Sequence, residues 1–296
     1  MSAGEKITVI MATRARPHLL PRAVASVFAQ THPDFELLVV DDNPPADRAA
    51  TTVALAPWRD DPHLRYLVNA DPCNGASARN TGLGFALGEW VTFLDDDDTY
   101  EPMKLARQLA LARATGAPLV LCGLAYHAGM RVRRRQCREE RFAGGDLLVR
   151  AQAAAPAIFH QRVDSFRFDA EFFAGEDADY FLRLVEHWSL ASVPNVPAPL
   201  VHVFQQDPAL RQNTRAEAVL RGQRRIWHRH SVRFSRSVRR QLAARIWYAR
   251  EIEGRGFGSL GKAASWVWRT GGPGEWRLLA NLFLRRLPVL GRWMSV

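Results

Sequence analysis

The sequence predicts an α/β fold, a mostly parallel central sheet flanked by helices, with a C-terminal helical appendage. Three observations carry that prediction. Short apolar runs alternate with helical patterns through the first 207 residues, the pattern of repeated βαβ units. Two of those runs end in clusters of aspartates, at Asp41-Asp42 and at Asp95 to Asp98. Beyond Pro208 the apolar runs give way to Arg, Trp and Leu at helical spacing.

Taken in order, residues 7–12 read as a first buried strand, because a strand covered on both faces is apolar throughout. Leu20, Val24, Val27 and Phe28 repeat at helical spacing and give an amphipathic helix ended by Thr31-His32-Pro33. Residues 36–40 form a second strand and 64–68 a third, with a small-residue helix over 77–87. A strand at 90–94 then runs into four consecutive aspartates. A helix over 105–114 and a strand over 119–124 follow. Six arginines between Arg131 and Arg141 predict an exposed loop or ribbon, residues 157–160 an inner strand, and 179–185 a short helix. The style change at Pro208 predicts two domains, 1–207 and 208–296, the second interrupted at 254–261 and 271–274 by glycine clusters.

The net charge of +10 is unevenly placed. From Pro208 onward there are 19 Lys and Arg against 4 Asp and Glu; the first 207 residues hold 21 basic and 26 acidic residues. An acidic half suited to a cation is joined to a basic half suited to anionic surfaces. Cys73, Cys122 and Cys137 are too few and too unevenly spaced for a disulfide framework, which predicts a reducing, cytoplasmic compartment. The apolar run at 7–12 is ended by Arg14 and Arg16 and reads as a strand, not a signal peptide; no run of ~20 apolar residues predicts a transmembrane helix.

Four constellations carry chemistry. FLDDDD (93–98) closes an apolar strand with four carboxylates whose mutual repulsion is relieved by water or by a cation. Strand alternation puts Asp95 and Asp97 on one side, a donor pair for hard Mg²⁺ or Mn²⁺; the alternative is a solvated acidic turn. VVDDN (39–43) offers Asp42 to a nucleobase N–H and Asn43 to a ribose, and is equally a good turn. NGASARNTG (74–82) combines small residues that admit a bulky ligand with Arg79 for a diphosphate; it reads as well as a tightly packed, capped helix start. GEDADYFLRL (175–184) places Asp177 at a helix N-terminus, where the dipole favours the ionised form a base requires; helix capping is the alternative.

In this order, VIMATRARP, VVDDN, NGASARNTG, FLDDDD and GEDADYFLRL resemble glycosyltransferase family 2 over roughly residues 6 to 206. The resemblance implies the GT-A fold, a nucleotide diphosphate sugar donor, a Mg²⁺ or Mn²⁺ cofactor and inversion at the transferred sugar. It implies that Asp42 contacts the base, that Asp95 and Asp96 serve the nucleotide, and that Asp97, with Asp95, holds the metal. Asp177 corresponds to the catalytic base, with Glu176 touching the acceptor. Thr13 and Arg14 correspond to a loop against the nucleotide, and Arg79 to a basic residue near the diphosphate.

The sequence departs from that family in two places. The YRxH-like segment after the base helix is replaced by LVHVFQQDP, which keeps His202 alone; the QxxRW signature of processive members appears only as QRRIW (223–227), with Ile226 in place of Arg. The reading is therefore transfer of a single sugar, UDP- or dTDP-linked, to a hydroxyl of a saccharide or lipid-linked saccharide in surface polysaccharide or glycolipid synthesis.

A basic amphipathic tail contains Trp276, Leu279, Leu282, Phe283, Leu287 and Leu290 with Arg277, Arg285, Arg286 and Arg292. Trp266, Trp268 and Trp293 suit a headgroup boundary. The segment suits the inner face of an anionic membrane, or packs on the catalytic domain. Rival readings are a basic nucleic-acid-binding protein, for which no reading motif is present, and a non-catalytic nucleotide-sugar binder, against which Asp97 and Asp177 stand. A nucleotidyltransferase would need a Gly-rich, Lys-bearing loop where ATRARP (12–17) stands.

Overall fold

In a computed structural model, which describes residues 5–70, 74–128, 131–135, 141–142, 154–172, 174–204, 216–234 and 238–239, the first apolar run forms β1 (Ile7–Thr13). All of its residues but Ala12 are buried, as expected of a strand with neighbours and helices on both faces. α1 (Leu20–Phe28) follows, with Pro21 in its first turn, where a missing N–H costs nothing, and Leu20, Ala23, Val24 and Val27 buried. β2 (Phe35–Asp41) is wholly buried and pairs parallel with β1.

Between β2 and β3 (Leu64–Val68) lies α2 (Arg48–Ala54), which sequence periodicity does not reveal. It is seven residues long and buries only Thr51, so it has no apolar stripe to read. β3 pairs parallel with β2. α3 (Gly75–Phe85) is capped by Asn74, whose side chain accepts the Ser77 N–H at 3.0 Å. β4 (Trp90–Asp95) returns to pair parallel with β1 on the side opposite β2. The order β3-β2-β1-β4 is the parallel half of a mixed sheet.

The other half is built from β5 (Thr99–Tyr100), α4 (Lys104–Thr115), β6 (Leu119–Ala128), β7 (Arg131–Arg135), β8 (Arg141–Phe142), β9 (Phe159–Gln161), α5 (Glu176–His187) and β10 (Val193–Phe204). β9 inserts antiparallel between β4 and β6, and β10 runs parallel to β6 with β5 on its far side. The arginine-rich stretch begins as a ribbon arm, β7 pairing antiparallel with β6; residues 136–140 lie outside the described residues. α4 ends on Gly116 at φ 63°, a left-handed cap that a Cβ would strain.

β10 is the strand the sequence conceals, because Pro194, Pro197 and Pro199 read as breakers. The prolines are accommodated by register shifts between Val196 and Pro199 and between Pro199 and Val201.

The chain divides into two compact units, Met1–Phe172 with Glu176–Leu210, and Phe173–Gly175 with Arg211–Val296. In the second, α6 (Ala216–His230) carries the QRRIW stretch, and Ile226 is buried where a processive signature would need arginine. Among the described residues no helix is long and apolar enough to cross a membrane. The tail from 240 onward, with all its tryptophans, and Cys73 and Cys137 lie outside the described residues.

Candidate functional site

Parallel pairing brings the carboxyl ends of β1, β2 and β4 together, with Thr13 beside Asp41 and Ala12 beside Asp95. Ligands of open α/β sheets bind at such an edge. The acidic run does not continue as a strand. After Asp95 the chain turns, and the Asp98 N–H donates to the Asp95 carbonyl at 3.1 Å. The expected alternation is thus replaced by a turn that gathers one oxygen each from Asp95, Asp97 and Asp98 within 4.8 Å of one another. Asp98 joins a donor set that the sequence reading had limited to Asp95 and Asp97, because a turn does not obey strand alternation. Three carboxylates with hard oxygen donors fit Mg²⁺ or Mn²⁺.

Asp96 points the other way and is fully buried. It accepts from the Thr13 hydroxyl at 2.8 Å and pairs with Arg16. Burial pushes its carboxyl up to about 7 despite Arg16 and Thr13. Burial also raises Asp98 well above the usual carboxylate range, with Asp95 and Asp97 adding to it. This repulsion is what a divalent cation would relieve.

At the end of β2, Asp42 takes an ion pair from Arg14 at 3.0 Å on one oxygen and an N–H from Asn69 at 2.7 Å on the other. Arg14 and Asp42, both expected at the nucleotide, are therefore joined to each other. Asn43, expected at a ribose, is held by two neighbouring loops. Its amide oxygen accepts the Ala15 N–H at 2.7 Å and its nitrogen donates to Thr51 at 3.2 Å, so the side chain braces two loops.

Arg79 joins the two halves of the site. Its side chain is 7% exposed, lies 2.6 Å from Asp95, and faces Glu176 at 3.5 Å and Asp177 at 3.8 Å. A buried guanidinium among three carboxylates is paired well enough to stay in the interior. Two of its neighbours come from the start of α5 because α3 and α5 are locked together through the segment before α5. Asn80 on α3 donates to the Phe168 carbonyl at 2.9 Å and accepts its N–H at 2.7 Å, while the Phe168 ring stacks on Tyr180 of α5 at 3.9 Å.

Asp177 Oδ2 accepts the Ala155 N–H at 3.0 Å, and Oδ1 has no hydrogen-bond partner among the described residues. The sequence reading gave the helix dipole the upper hand and expected an easily ionised carboxylate. Burial and the adjacent Glu176 outweigh it and push Asp177 up to about 7, against the pull of Arg79. A base titrating near neutrality, with one oxygen hydrogen-bonded and the other facing the Arg79 guanidinium at 3.8 Å, is suited to take a proton from a hydroxyl.

His202 is not among the carboxylates grouped for an ion. Its ring bonds Glu101 on one nitrogen and His127 on the other at 2.7 Å, and the His127 ring stacks on Phe204. Below the acidic turn lies a group the sequence does not reveal. Lys104, fully buried, donates to Thr92 at 2.9 Å and lies 4.0 Å over the Tyr100 ring. Burial brings its ammonium down to about 8. Its helical position among Leu105 and Leu109 gave no sign that a charge would point inward.

The family model described as Glycosyl transferase family 2 matches residues 8–174, more than half of the chain. The succinoglycan biosynthesis protein ExoO of Rhizobium meliloti is 37% identical over 118 residues, 40% of this chain and 33% of that protein. The GalNAc(5)-diNAcBac-PP-undecaprenol beta-1,3-glucosyltransferase of Campylobacter jejuni is 39% identical over 94 residues, 31% of this chain and 30% of that protein. These matches thus span about a third of the curated relatives' length. The crystal structure of S. aureus TarS 1–349 in complex with UDP-GlcNAc superposes with a TM-score of 0.66 at 16% identity, covering 96% of this chain and 82% of that one, a likeness of fold.

Proposed function

The chain belongs to glycosyl transferase family 2, and from that premise we propose that it transfers one sugar from a nucleoside diphosphate donor to a hydroxyl acceptor with inversion. The observation that carries this reading is the position of Arg79, which holds Asp95 of the acidic turn and Glu176 and Asp177 of α5 around one guanidinium. The carboxylates assigned to donor and acceptor thereby meet at one guanidinium.

In this reading Arg14 and Asp42 meet the base, with Thr13 and Asp96 supporting the loop beneath the nucleotide. Asp95, Asp97 and Asp98 would hold a divalent cation, Mg²⁺ or Mn²⁺, which would supply Lewis acidity toward the diphosphate. Asp177 Oδ1 accepts the proton of the acceptor hydroxyl as that oxygen attacks the anomeric carbon from the face opposite the diphosphate. One displacement inverts the centre, so no enzyme nucleophile is required. Glu176 orients the acceptor, and Arg79 keeps both carboxylates facing the reacting atoms.

The bound UDP-GlcNAc of the TarS structure supports a uridine donor, and the C. jejuni relative's name supports an acceptor on a lipid diphosphate carrier. The missing QxxRW arginine supports a single transfer. The test is a panel of UDP-, dTDP- and GDP-sugars with Mn²⁺, run on the wild type and on Asp177→Asn. The variant should bind donor with wild-type affinity and lose about 10²–10⁴-fold in turnover. Near-wild-type turnover removes Asp177 from the role; donor binding with no turnover in the wild type leaves a nucleotide-sugar binder.

A further inference from the structure

Two of the carboxylates grouped for a cation already face arginines. Arg79 opposite Asp95 has its place in the reaction above. Arg16 has none, yet it reaches the same turn. Its Nη1 lies 2.7 Å from Asp97 and its Nη2 meets Asp96. The two partners differ. Asp96 is fully buried and held from its other side by Thr13, whereas Asp97 is 17% exposed at the mouth of the turn.

The backbone that delivers Arg16 is strained. Ala15 has φ 57°, in the left-handed region that residues with a Cβ avoid. Its N–H is fixed by Asn43 at 2.7 Å, and Asn43 is fixed in turn by Thr51. Strain of this kind persists only where the surroundings over-determine it, and it gathers at ligand clamps. A loop that needed only a surface arginine would relax; this one is held so that a guanidinium enters the acidic turn.

We infer that Arg16 is a second diphosphate-binding cation, paired with Asp97 and passed to the donor's phosphate oxygens when a divalent ion takes that carboxylate. The inference rests on the donor proposed above being a diphosphate. A guanidinium and a divalent ion on one carboxylate repel each other, so an ion held by Asp97 would compete with Nη1 for it. Nη2 keeps its hold on buried Asp96, which leaves the planar fork anchored at one side and open at the other. That geometry leaves Nη1 to donate to a phosphate oxygen. The protein thus exchanges one cation–carboxylate contact for one cation–phosphate contact, and the acidic turn stays neutralised in both states.

The test is calorimetry with Mn²⁺ alone and with inorganic pyrophosphate in the presence of Mn²⁺, on the wild type, Arg16→Ala and Arg16→Lys. Arg16→Ala should bind Mn²⁺ alone about two- to fivefold more tightly, the worth of a part-exposed ion pair removed as competitor. It should bind pyrophosphate with Mn²⁺ about tenfold or more weakly, the loss of a charge-assisted hydrogen bond. A purely structural arginine would move both affinities in the same direction, and that result overturns the inference, as does unchanged pyrophosphate binding. If Arg16→Ala does not fold, Arg16→Lys decides. It keeps the competing charge and loses the fork, so Mn²⁺ binding should stay at the wild-type value while pyrophosphate binding weakens several-fold; unchanged pyrophosphate affinity overturns the assignment. A wild type that binds pyrophosphate with these dependences and binds no nucleotide sugar upholds Arg16 and removes the proposed function instead.

Discussion

Asp177 shows how far one side chain's chemistry is set by its surroundings. An aspartate in the unfolded chain titrates near 3.9. In the fold, burial and Glu176 bring Asp177 up to about 7 while Arg79 pulls it back. A base works only in its deprotonated form, so turnover should rise with pH along a limb centred near 7 and level off above it. kcat/KM is the quantity to measure, because it reports groups of the free enzyme. A profile flat between pH 6 and 8 would show that another residue takes the proton. The same shift has a cost in stability. The folded carboxyl holds its proton between its unfolded value and about 7, so this residue's contribution to stability falls as pH rises through that window.

At the scale of elements, the site depends on how closely α3 approaches β1. Gly82 faces the fully buried Ile10, and a Cβ there would lie 2.5 Å from Ile10 Cγ2. Gly82→Ala gains about 1 kcal/mol of helix propensity. Overpacking of this kind costs about 1–3 kcal/mol, and because Ile10 is fully buried the clash wins. The melting temperature should fall, and because Arg79 rides on the same helix, metal-dependent donor affinity should fall with it. A variant that melts at or above the wild-type temperature would show that α3 has room to move. Elements with one strong pattern were legible in the sequence: β1, α1, β2 and β4 bury nearly everything they were expected to bury. β10 was hidden by its prolines and α2 by its lack of an apolar stripe. The candidate site was legible as an ordered set of carboxylates with Arg14 and Arg79, but two further cations were not. Arg16 and Lys104 matter through where a turn and a helix face point them, and a linear reading of ATRARP or KLARQLA carries no such direction. Asp98 was missed for the same reason, since the turn at Asp95 breaks the alternation on which the metal pair had been drawn.

At the scale of the whole molecule, the charge split sets the remaining question. The first 207 residues carry 26 acidic groups against 21 basic ones, and their acidic turn calls for a cation. From Pro208 the ratio is 19 basic to 4 acidic, with Arg277, Arg285, Arg286 and Arg292 interleaved with tryptophan and leucine. Such a segment, read from its sequence, suits an anionic lipid surface, where each Lys or Arg near the headgroups adds about 1 kcal/mol. Four arginines then amount to about 4 kcal/mol, roughly a thousandfold in partition. A lipid-linked acceptor would be presented at that same surface, so the tail would raise the encounter rate without touching the chemistry. Sedimentation with vesicles measures this directly. The protein should pellet with vesicles containing anionic lipid, much less with zwitterionic ones, and should be released as salt shortens the screening length from about 10 Å at 0.1 M toward about 3 Å at 1 M. Removing residues 275–296 should abolish pelleting and leave nucleotide binding intact. Equal pelleting with and without vesicles would mean self-association. Binding that survives 1 M salt would mean that tryptophan and leucine, not arginine, hold the surface.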